Sequence, residues 1–156
     1  MGDYSCLMVK PPKKERDAIL GWNYQFIPED ILFVKPDSDY TGRDNTPHIT
    51  VKYGILTNKV EEILPLLPEE DIQIKLGKVS KFDKNPDYDV IKVEIESPEL
   101  HELNKKISEN LECHDTFPEY IPHLTLAYVK KGTGDFLIGN TNLVGVSFKV
   151  DSLDLS

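Results

Sequence analysis

The sequence predicts an α+β domain with few helices and many strands. Segments such as residues 90–96 alternate apolar and polar side chains, which is typical of half-buried strands. Residues 13 to about 26, and a segment after Ser97, instead repeat apolar residues every three or four positions, which predicts amphipathic helices. Because strands outnumber helices and several follow one another directly, the pattern favours an α+β domain over a parallel α/β one.

The first part of the chain predicts a strand, a helix, a second short strand and a surface loop. The helix carries an apolar stripe at four-residue spacing and stops at Pro28. The loop is polar and rich in turn-forming residues. In chain order these elements are residues 4–10, 13–26, 31–34 and 36–47.

The rest of the chain predicts five further strands, with a bulge at Gly77 in one of them, a short helix and a longer helix. Ser97, followed by a proline and an early acid, is a typical N-cap of the longer helix. Two of the strands contain a histidine motif described below, near the middle and in the last quarter of the chain. This placement suits two antiparallel sheet lobes that face each other across a cleft. In chain order the elements are residues 47–53, 58–67, 71–82, 90–96, 98–111, 122–129 and 144–155.

The composition fits a single folded domain over residues 1–156. The chain has 39% hydrophobic residues and contains no low-complexity tract. No apolar run approaches the roughly 18 residues of a membrane helix, and no secretory signal is recognisable at the start. Cys6 and Cys113 do not make a disulfide framework, so we expect reduced thiols and a cytoplasmic protein.

The net charge of −9 argues against a protein that binds long nucleic acids. Affinity for a phosphate backbone comes from clustered Lys and Arg, and acids outnumber bases here. A small anionic ligand stays compatible with this charge, because a local pocket can be positive on an acidic surface. The simpler interpretation of the charge is solubility.

The most informative feature is a segment that occurs twice. Residues 47–53 and 122–128 both read Pro, His, apolar, Thr, apolar, any residue, Tyr. On an alternating strand, His48 and Thr50 share one face, and so do His123 and Thr125. A strand face with an imidazole beside a hydroxyl, present twice, predicts a site built from two equivalent halves.

Other interpretations of the histidines have to be weighed. His-x-Thr alone is a weak pattern, and a third case, His114-Asp115-Thr116, occurs without the flanking Pro, aliphatic and Tyr residues. Both motif histidines would then be ordinary structural residues of a strand. Zinc binding is a further alternative, but no third ligand lies at a usual spacing, and we expect no metal or other cofactor.

Two imidazoles can cleave a phosphodiester between them. One takes the proton of water or of a 2′-hydroxyl, and the other protonates the leaving oxygen on the opposite side of phosphorus. Histidine suits both roles because its pKa is near neutral. Thr50 and Thr125 can donate hydrogen bonds to the non-bridging oxygens. The sequence leaves open which of His48 and His123 is the base.

The two His-x-Thr motifs, with the order of strands and helices around them, resemble the 2H phosphoesterase superfamily. The resemblance implies a pseudo-symmetric bilobal fold, His48, Thr50, His123 and Thr125 as catalytic residues, and activity as a cyclic phosphodiesterase, a 2′,5′ RNA ligase or an RNA-end-processing enzyme. The loops at residues 41–43 and 115–118 are most similar to phage-encoded members that degrade cyclic oligonucleotide defence signals. The protein would then act in the host cytoplasm.

Four further residues are candidates for substrate binding. Lys52 would share the face of His48 and add positive charge, and Arg43 could reach a phosphate or a base. Phe117 and Tyr120 could stack on a nucleobase, although core packing would also explain them. Tyr53 and Tyr128 are predicted to point away from the histidines. Lys52 also has a simpler interpretation as a solvated strand-end lysine.

The sequence therefore favours a metal-independent phosphodiesterase acting on a small nucleotide. The substrate would be a cyclic oligonucleotide, a 2′,5′-linked oligoadenylate or a 2′,3′-cyclic phosphate. One alternative is RNA-end processing or ligation, which would need a basic groove. The other is a module that sequesters a nucleotide without cleaving it, for which a general acid and base are unnecessary.

Overall fold

The computed structural model describes residues 4–114, 119–150 and 152–156. In the described residues, seven antiparallel strands form one sheet in the order β6-β3-β4-β5-β2-β1-β7. The strands are β1 Ser5–Val9, β2 Ile49–Ile55, β3 Gln73–Phe82, β4 Tyr88–Glu96, β5 His123–Lys130, β6 Ser147–Lys149 and β7 Leu153–Leu155. The helices are α1 Lys13–Phe26, α2 Val60–Ile63 and α3 Pro98–Asn110, with 3₁₀ turns at Glu29–Ile31, Leu64–Leu66 and Asp135–Leu137.

The fold class predicted from the sequence, α+β with few helices, is confirmed. The two predicted lobes are the two halves of this one sheet. One half contains β6, β3, β4 and β5, and the other contains β2, β1 and β7. They meet where Ile49 of β2 pairs with Leu124 of β5, the one residue pair of that register. The motif strands thus form the centre of the sheet.

One face of the sheet is the hydrophobic core. Fully buried strand residues such as Leu7, Ile49 and Leu124 belong to the same cluster as buried residues of both long helices. The helices contribute Ile19 and Trp22 from α1, and Leu100, Leu103 and Ile107 from α3. Since apolar residues alternate along each strand, the opposite face carries the polar motif residues. We call that opposite side the histidine face.

Most predicted elements are confirmed, and one is wrong. Residues 144–155, predicted as one strand, contain the two short strands β6 and β7, which lie at opposite edges of the sheet. The hydroxyl of Ser97 accepts a hydrogen bond from the amide of Leu100, as expected for an N-cap, and the β3–β4 register shifts next to Gly77. Residues 31–34 do not form a strand. Ile31 ends a 3₁₀ turn, and the segment makes an isolated bridge from Leu32 to Val129. Pro28 and Pro36, which flank it, cannot donate a backbone hydrogen bond to a strand ladder.

Among the described residues, none of the helices has the length and apolar character that would let it cross a membrane.

Candidate active site

The two motifs lie side by side on the histidine face. With Ile49 opposite Leu124 in an antiparallel register, His48 lies opposite Thr125, and Thr50 lies opposite His123. The two histidines are then diagonal neighbours, which in an antiparallel pair are about 7–8 Å apart between backbone positions. Imidazoles at this separation can lie on either side of one phosphate.

Both imidazoles are held in the same way. Nδ1 of His48 lies 2.9 Å from the carbonyl oxygen of Thr46, and Nδ1 of His123 lies 2.9 Å from that of Ile121. Since a carbonyl only accepts, each Nδ1 carries the proton and donates it. The ring orientation and the tautomer are thereby fixed, and Nε2 of each ring is left to exchange protons with a ligand.

A β-bulge interrupts each motif strand just after its threonine. In β2, Thr50 pairs with Met8 and Lys52 with Leu7, so Val51 is an extra residue. In β5, Thr125 pairs with Lys92 of β4 and Ala127 pairs with Ile91, so Leu126 is the extra residue. A bulge of one residue turns every later side chain to the other face.

The bulges bring both tyrosines to the histidine face, which corrects the prediction that they point away. Tyr53 lies with its hydroxyl 3.3 Å from Oγ1 of Thr50, and its side chain is 51% exposed. Tyr128 pairs with Val90, and burial followed by the charges of Asp44 and Tyr53 raises its pKa to about 12. Each His-x-Thr motif is therefore followed by a tyrosine on the same face of the sheet.

The same bulge corrects the predicted position of Lys52. It pairs with the core residue Leu7 and is 6% exposed, so it does not share the face of His48 and Thr50. Strict alternation fails here because the strand contains one residue more than its partner.

Arg43 is also placed away from the phosphodiester site. Its guanidinium donates to the carbonyl oxygens of Asn23 and Ile27 and to the side chains of Asn23 and Glu29. The Arg43 side chain is 5% exposed and stacks on Tyr24 at 4.4 Å. A cation that binds the last carbonyls of α1 stabilises the end of that helix, so we correct its predicted contact with substrate.

Tyr120 is bound to the motif strand rather than presented as a stacking surface. Its hydroxyl donates a 2.7 Å hydrogen bond to the carbonyl oxygen of Thr50, and burial raises its pKa. The ring lies 5.3 Å from that of His101. Phe117, the other predicted stacking residue, lies outside the described residues.

Two charged residues that the sequence did not single out lie close to the histidines. Oδ2 of Asp44 is 4.0 Å from Nδ1 of His48. Lys92 pairs with Thr125 on the histidine face and is 6% exposed. Asp44 has a sequence signal, because an acid lies four residues before each motif histidine, with Glu119 as its counterpart. Lys92 has none.

The described residues give no sign of a metal centre. No group of three or more His, Cys, Asp or Glu side chains within them could hold a metal ion. Two surface cavities, of about 640 and 330 Å³, lie beside β7 and beside the start of α3 and are lined by other residues. The first of them reaches Asp154, whose pKa is lowered by the ammonium of Lys10.

Comparison with protein families gives a match over most of the chain. The model of the 2′-5′ RNA ligase superfamily matches residues 34–156. A comparison with curated proteins gave no match.

Solved structures have the same fold. TT0787 of Thermus thermophilus aligns with a TM-score of 0.65 and 17% identity, over 98% of this chain and 87% of that one. LigT of E. coli aligns with a TM-score of 0.64 and 14% identity, over 99% and 86%. Usb1 of Kluyveromyces marxianus aligns with a TM-score of 0.56 and 10% identity, over 99% and 94%. Since the family model covers well over half of the sequence, the chain belongs to the 2′-5′ RNA ligase superfamily of 2H phosphoesterases.

Proposed function

We propose that this protein is a phosphodiesterase that cleaves a small nucleotide without a metal, with His48 and His123 as its general acid and base. The superfamily supports phosphodiesterase or RNA-ligase-like activity in general. The observation that carries the proposal is the diagonal placement of two imidazoles whose Nδ1 atoms are both bound to carbonyl oxygens.

The proposed reaction is an in-line displacement at phosphorus. The neutral imidazole takes a proton from water or from a 2′-hydroxyl, whose oxygen forms the new bond to phosphorus. The imidazolium gives its Nε2 proton to the leaving oxygen, which takes the electron pair of the broken P–O bond. The hydroxyls of Thr50 and Thr125 donate to the non-bridging oxygens, where charge develops. Proton exchange with water restores both rings.

Three observations favour a small nucleotide as the substrate. Acids exceed bases by nine, which disfavours binding of a long phosphate backbone. Tyr40 and Tyr53, 59% and 51% exposed, offer rings on which a nucleobase could stack. LigT of E. coli, 13–14% identical to this chain, has been crystallised with phosphate, 3′-AMP, ATP and NADP⁺.

Within this class, we favour a cyclic oligonucleotide signal, a 2′,5′-linked oligoadenylate or a 2′,3′-cyclic phosphate. Cleavage of a cyclic oligonucleotide would suit a phage enzyme that counters host defence. The second candidate function is 2′-5′ RNA ligation or RNA-end processing, which membership of the 2′-5′ RNA ligase superfamily favours.

The test is a panel of substrates incubated in EDTA, with products separated by chromatography. The panel contains cyclic di- and trinucleotides, 2′,5′- and 3′,5′-linked oligoadenylates, 2′,3′-cyclic AMP, and RNA ends able to be joined. Wild-type protein is compared with His48→Ala, His123→Ala and His114→Ala. The last is the matched control, because exposed His114 belongs to the third His-x-Thr segment.

We expect cleavage of a small nucleotide that persists in EDTA, survives His114→Ala and is lost in the other two variants. Joined RNA products would instead establish ligation. Tight binding of a nucleotide with no turnover would show a sequestering module and refute the proposed chemistry.

A further inference from the structure

Lys92 is a buried cation on the histidine face. Its side chain is 6% exposed, and Nζ donates a 2.6 Å hydrogen bond to Oγ of Ser80. The ammonium also lies 4.5 Å from the centre of the Phe82 ring. Among the described residues, no carboxylate lies within salt-bridge distance of it. A lysine without a special role is usually exposed to solvent or, if buried, paired with a carboxylate.

The cation is linked to one of the two histidines. The ring of Phe82 packs edge-on against His123, with centroids 4.8 Å apart. Phe82 thus contacts both groups. Low local polarity strengthens the interaction between two cations, so protonation of His123 beside Lys92 is unfavourable.

The other groups around His123 do not reverse this effect. From β4, Glu94 lies directly opposite it and favours the protonated ring, whereas Lys92 opposes protonation. His48 faces it from the start of β2 and also opposes protonation, and β3 contributes the uncharged Ser80 and Phe82. The pKa of His123 is lowered, first by burial and then by the charges of Lys92 and His48, against the carbonyl of Ile121, which raises it.

We propose that Lys92 is a positioning residue which keeps the imidazole of His123 neutral, and so assigns to His123 the role of general base. This inference rests on the proposed function. His48, whose Nδ1 lies 4.0 Å from Oδ2 of Asp44, then supplies the proton. His123 accepts the proton of the attacking oxygen, and His48 gives one proton to the leaving oxygen.

The direct test is an NMR titration of the histidine rings in protein without substrate. Lys92→Met removes the charge and keeps the length of the side chain. We expect the midpoint of His123 to rise by about half a pH unit or more in this variant, the scale expected for one charge at this range. The matched control is Lys149→Met, which removes an exposed lysine from the edge strand β6 and should change nothing.

A midpoint of His123 that stays unchanged in Lys92→Met would overturn the inference. If this variant does not fold, Ser80→Ala loosens the hold on the ammonium, and a rise in the same direction is expected. No rise in that variant would refute the inference in the same way.

Kinetics separate this inference from the proposed function. With an active substrate, kcat/KM of Lys92→Met should be about threefold lower on the acid limb and unchanged at pH 8. A uniform loss at every pH with no change in the His123 midpoint would mean that Lys92 binds substrate, which contradicts the inference. Absence of turnover on all phosphodiesters would refute the proposed function, while the titration would still decide the coupling between Lys92 and His123.

Discussion

The two motif strands have the same backbone geometry but different electrostatic surroundings. In both, the histidine donates from Nδ1 to the carbonyl oxygen two residues earlier, at 2.9 Å. In both, a bulge follows the threonine. The charges around them differ, however: the carboxylate of Asp44 lies 4.0 Å from Nδ1 of His48, whereas the ammonium of Lys92 opposes protonation of His123.

The helices repeat this symmetry from the other face of the sheet. The amide of Asn104, on α3, donates 2.7 Å to the carbonyl oxygen of Val51, and the amide of Asn23, on α1, donates 2.8 Å to that of Leu126. These carbonyls belong to the extra residue of each bulge, which the strand ladder leaves unpaired. The fold thus builds two equivalent imidazoles, and neighbouring charges distinguish them.

The largest expected effect is the loss of either histidine. His48→Ala and His123→Ala should each lower kcat by about 10² or more, the usual contribution of a general acid or base. If the charges differ as argued, the variants should also differ in pH dependence. His123→Ala should lose the acid limb of the rate profile, and His48→Ala should lose the basic limb. Steady-state kinetics from pH 5 to 9, with circular dichroism to check folding, would show this. Matching profiles would mean that the two halves are equivalent.

The sequence could predict those features of the two motif strands that depend on neighbouring residues, but not those that depend on residues far away along the chain. Alternation along residues 47–53 and 122–128 was enough to place His48, Thr50, His123 and Thr125 on one face. It failed beyond the threonines, where the bulges moved Lys52 into the core and Tyr53 out of it. The asparagines that satisfy the bulge carbonyls are 53 and 103 residues away along the chain, so no local pattern announces them.

The charged groups around the histidines could not be predicted from the sequence for a different reason. Lys92 occupies a polar position in a regularly alternating strand, and such a lysine is normally solvated. Only the pairing of β4 with β5 shows that this position borders Thr125. The prediction for Arg43 failed in the opposite way. An arginine in a loop next to a motif suggests a contact with phosphate, but its guanidinium donates instead to carbonyl oxygens at the end of α1.

The second effect in size is on stability and compares the two asparagines. Asn23→Ala should lower the free energy of unfolding by about 2–3 kcal/mol, because it removes two buried hydrogen bonds, one from the Asn23 amide to the Leu126 carbonyl and one from the Arg43 guanidinium to the Asn23 side chain. Asn104→Ala should cost about 1 kcal/mol, since the site is partly exposed. Urea unfolding measures both, with exposed Asn110→Ala as the control. Equal losses for Asn23 and Asn104 would contradict the argument.

A smaller effect is expected at the acids that precede the histidines. Asp44→Asn keeps the hydrogen-bonding shape of the side chain but removes the charge beside His48, and should lower kcat/KM about two- to fivefold. Glu119→Gln is the matched control, because Glu119 has the same sequence position but is exposed. It should leave kcat/KM unchanged. Similar losses in both variants would mean that the acids act through net charge alone.

The smallest expected effect is a dependence of stability on pH that belongs to the His123 half. The pKa of this ring is lowered in the folded protein by burial and by the charges of Lys92 and His48. In the unfolded chain the ring would have its ordinary pKa, about 6.5. The unfolded state therefore binds more protons below that value, so His123 makes the protein less stable as the pH falls from about 7 through the folded pKa. Urea midpoints at pH 8 and pH 5.5 should differ less in His123→Gln than in wild type.

Two variants serve as controls. His48→Gln should reduce the difference between the two midpoints only in part, because it removes one of the two cations that act on His123. Exposed His114→Gln should leave the contribution of His123 to that difference unchanged. A full wild-type difference in His123→Gln would show that this ring is no harder to protonate in the folded protein than in the unfolded chain, and that the electrostatic contrast between the halves is absent.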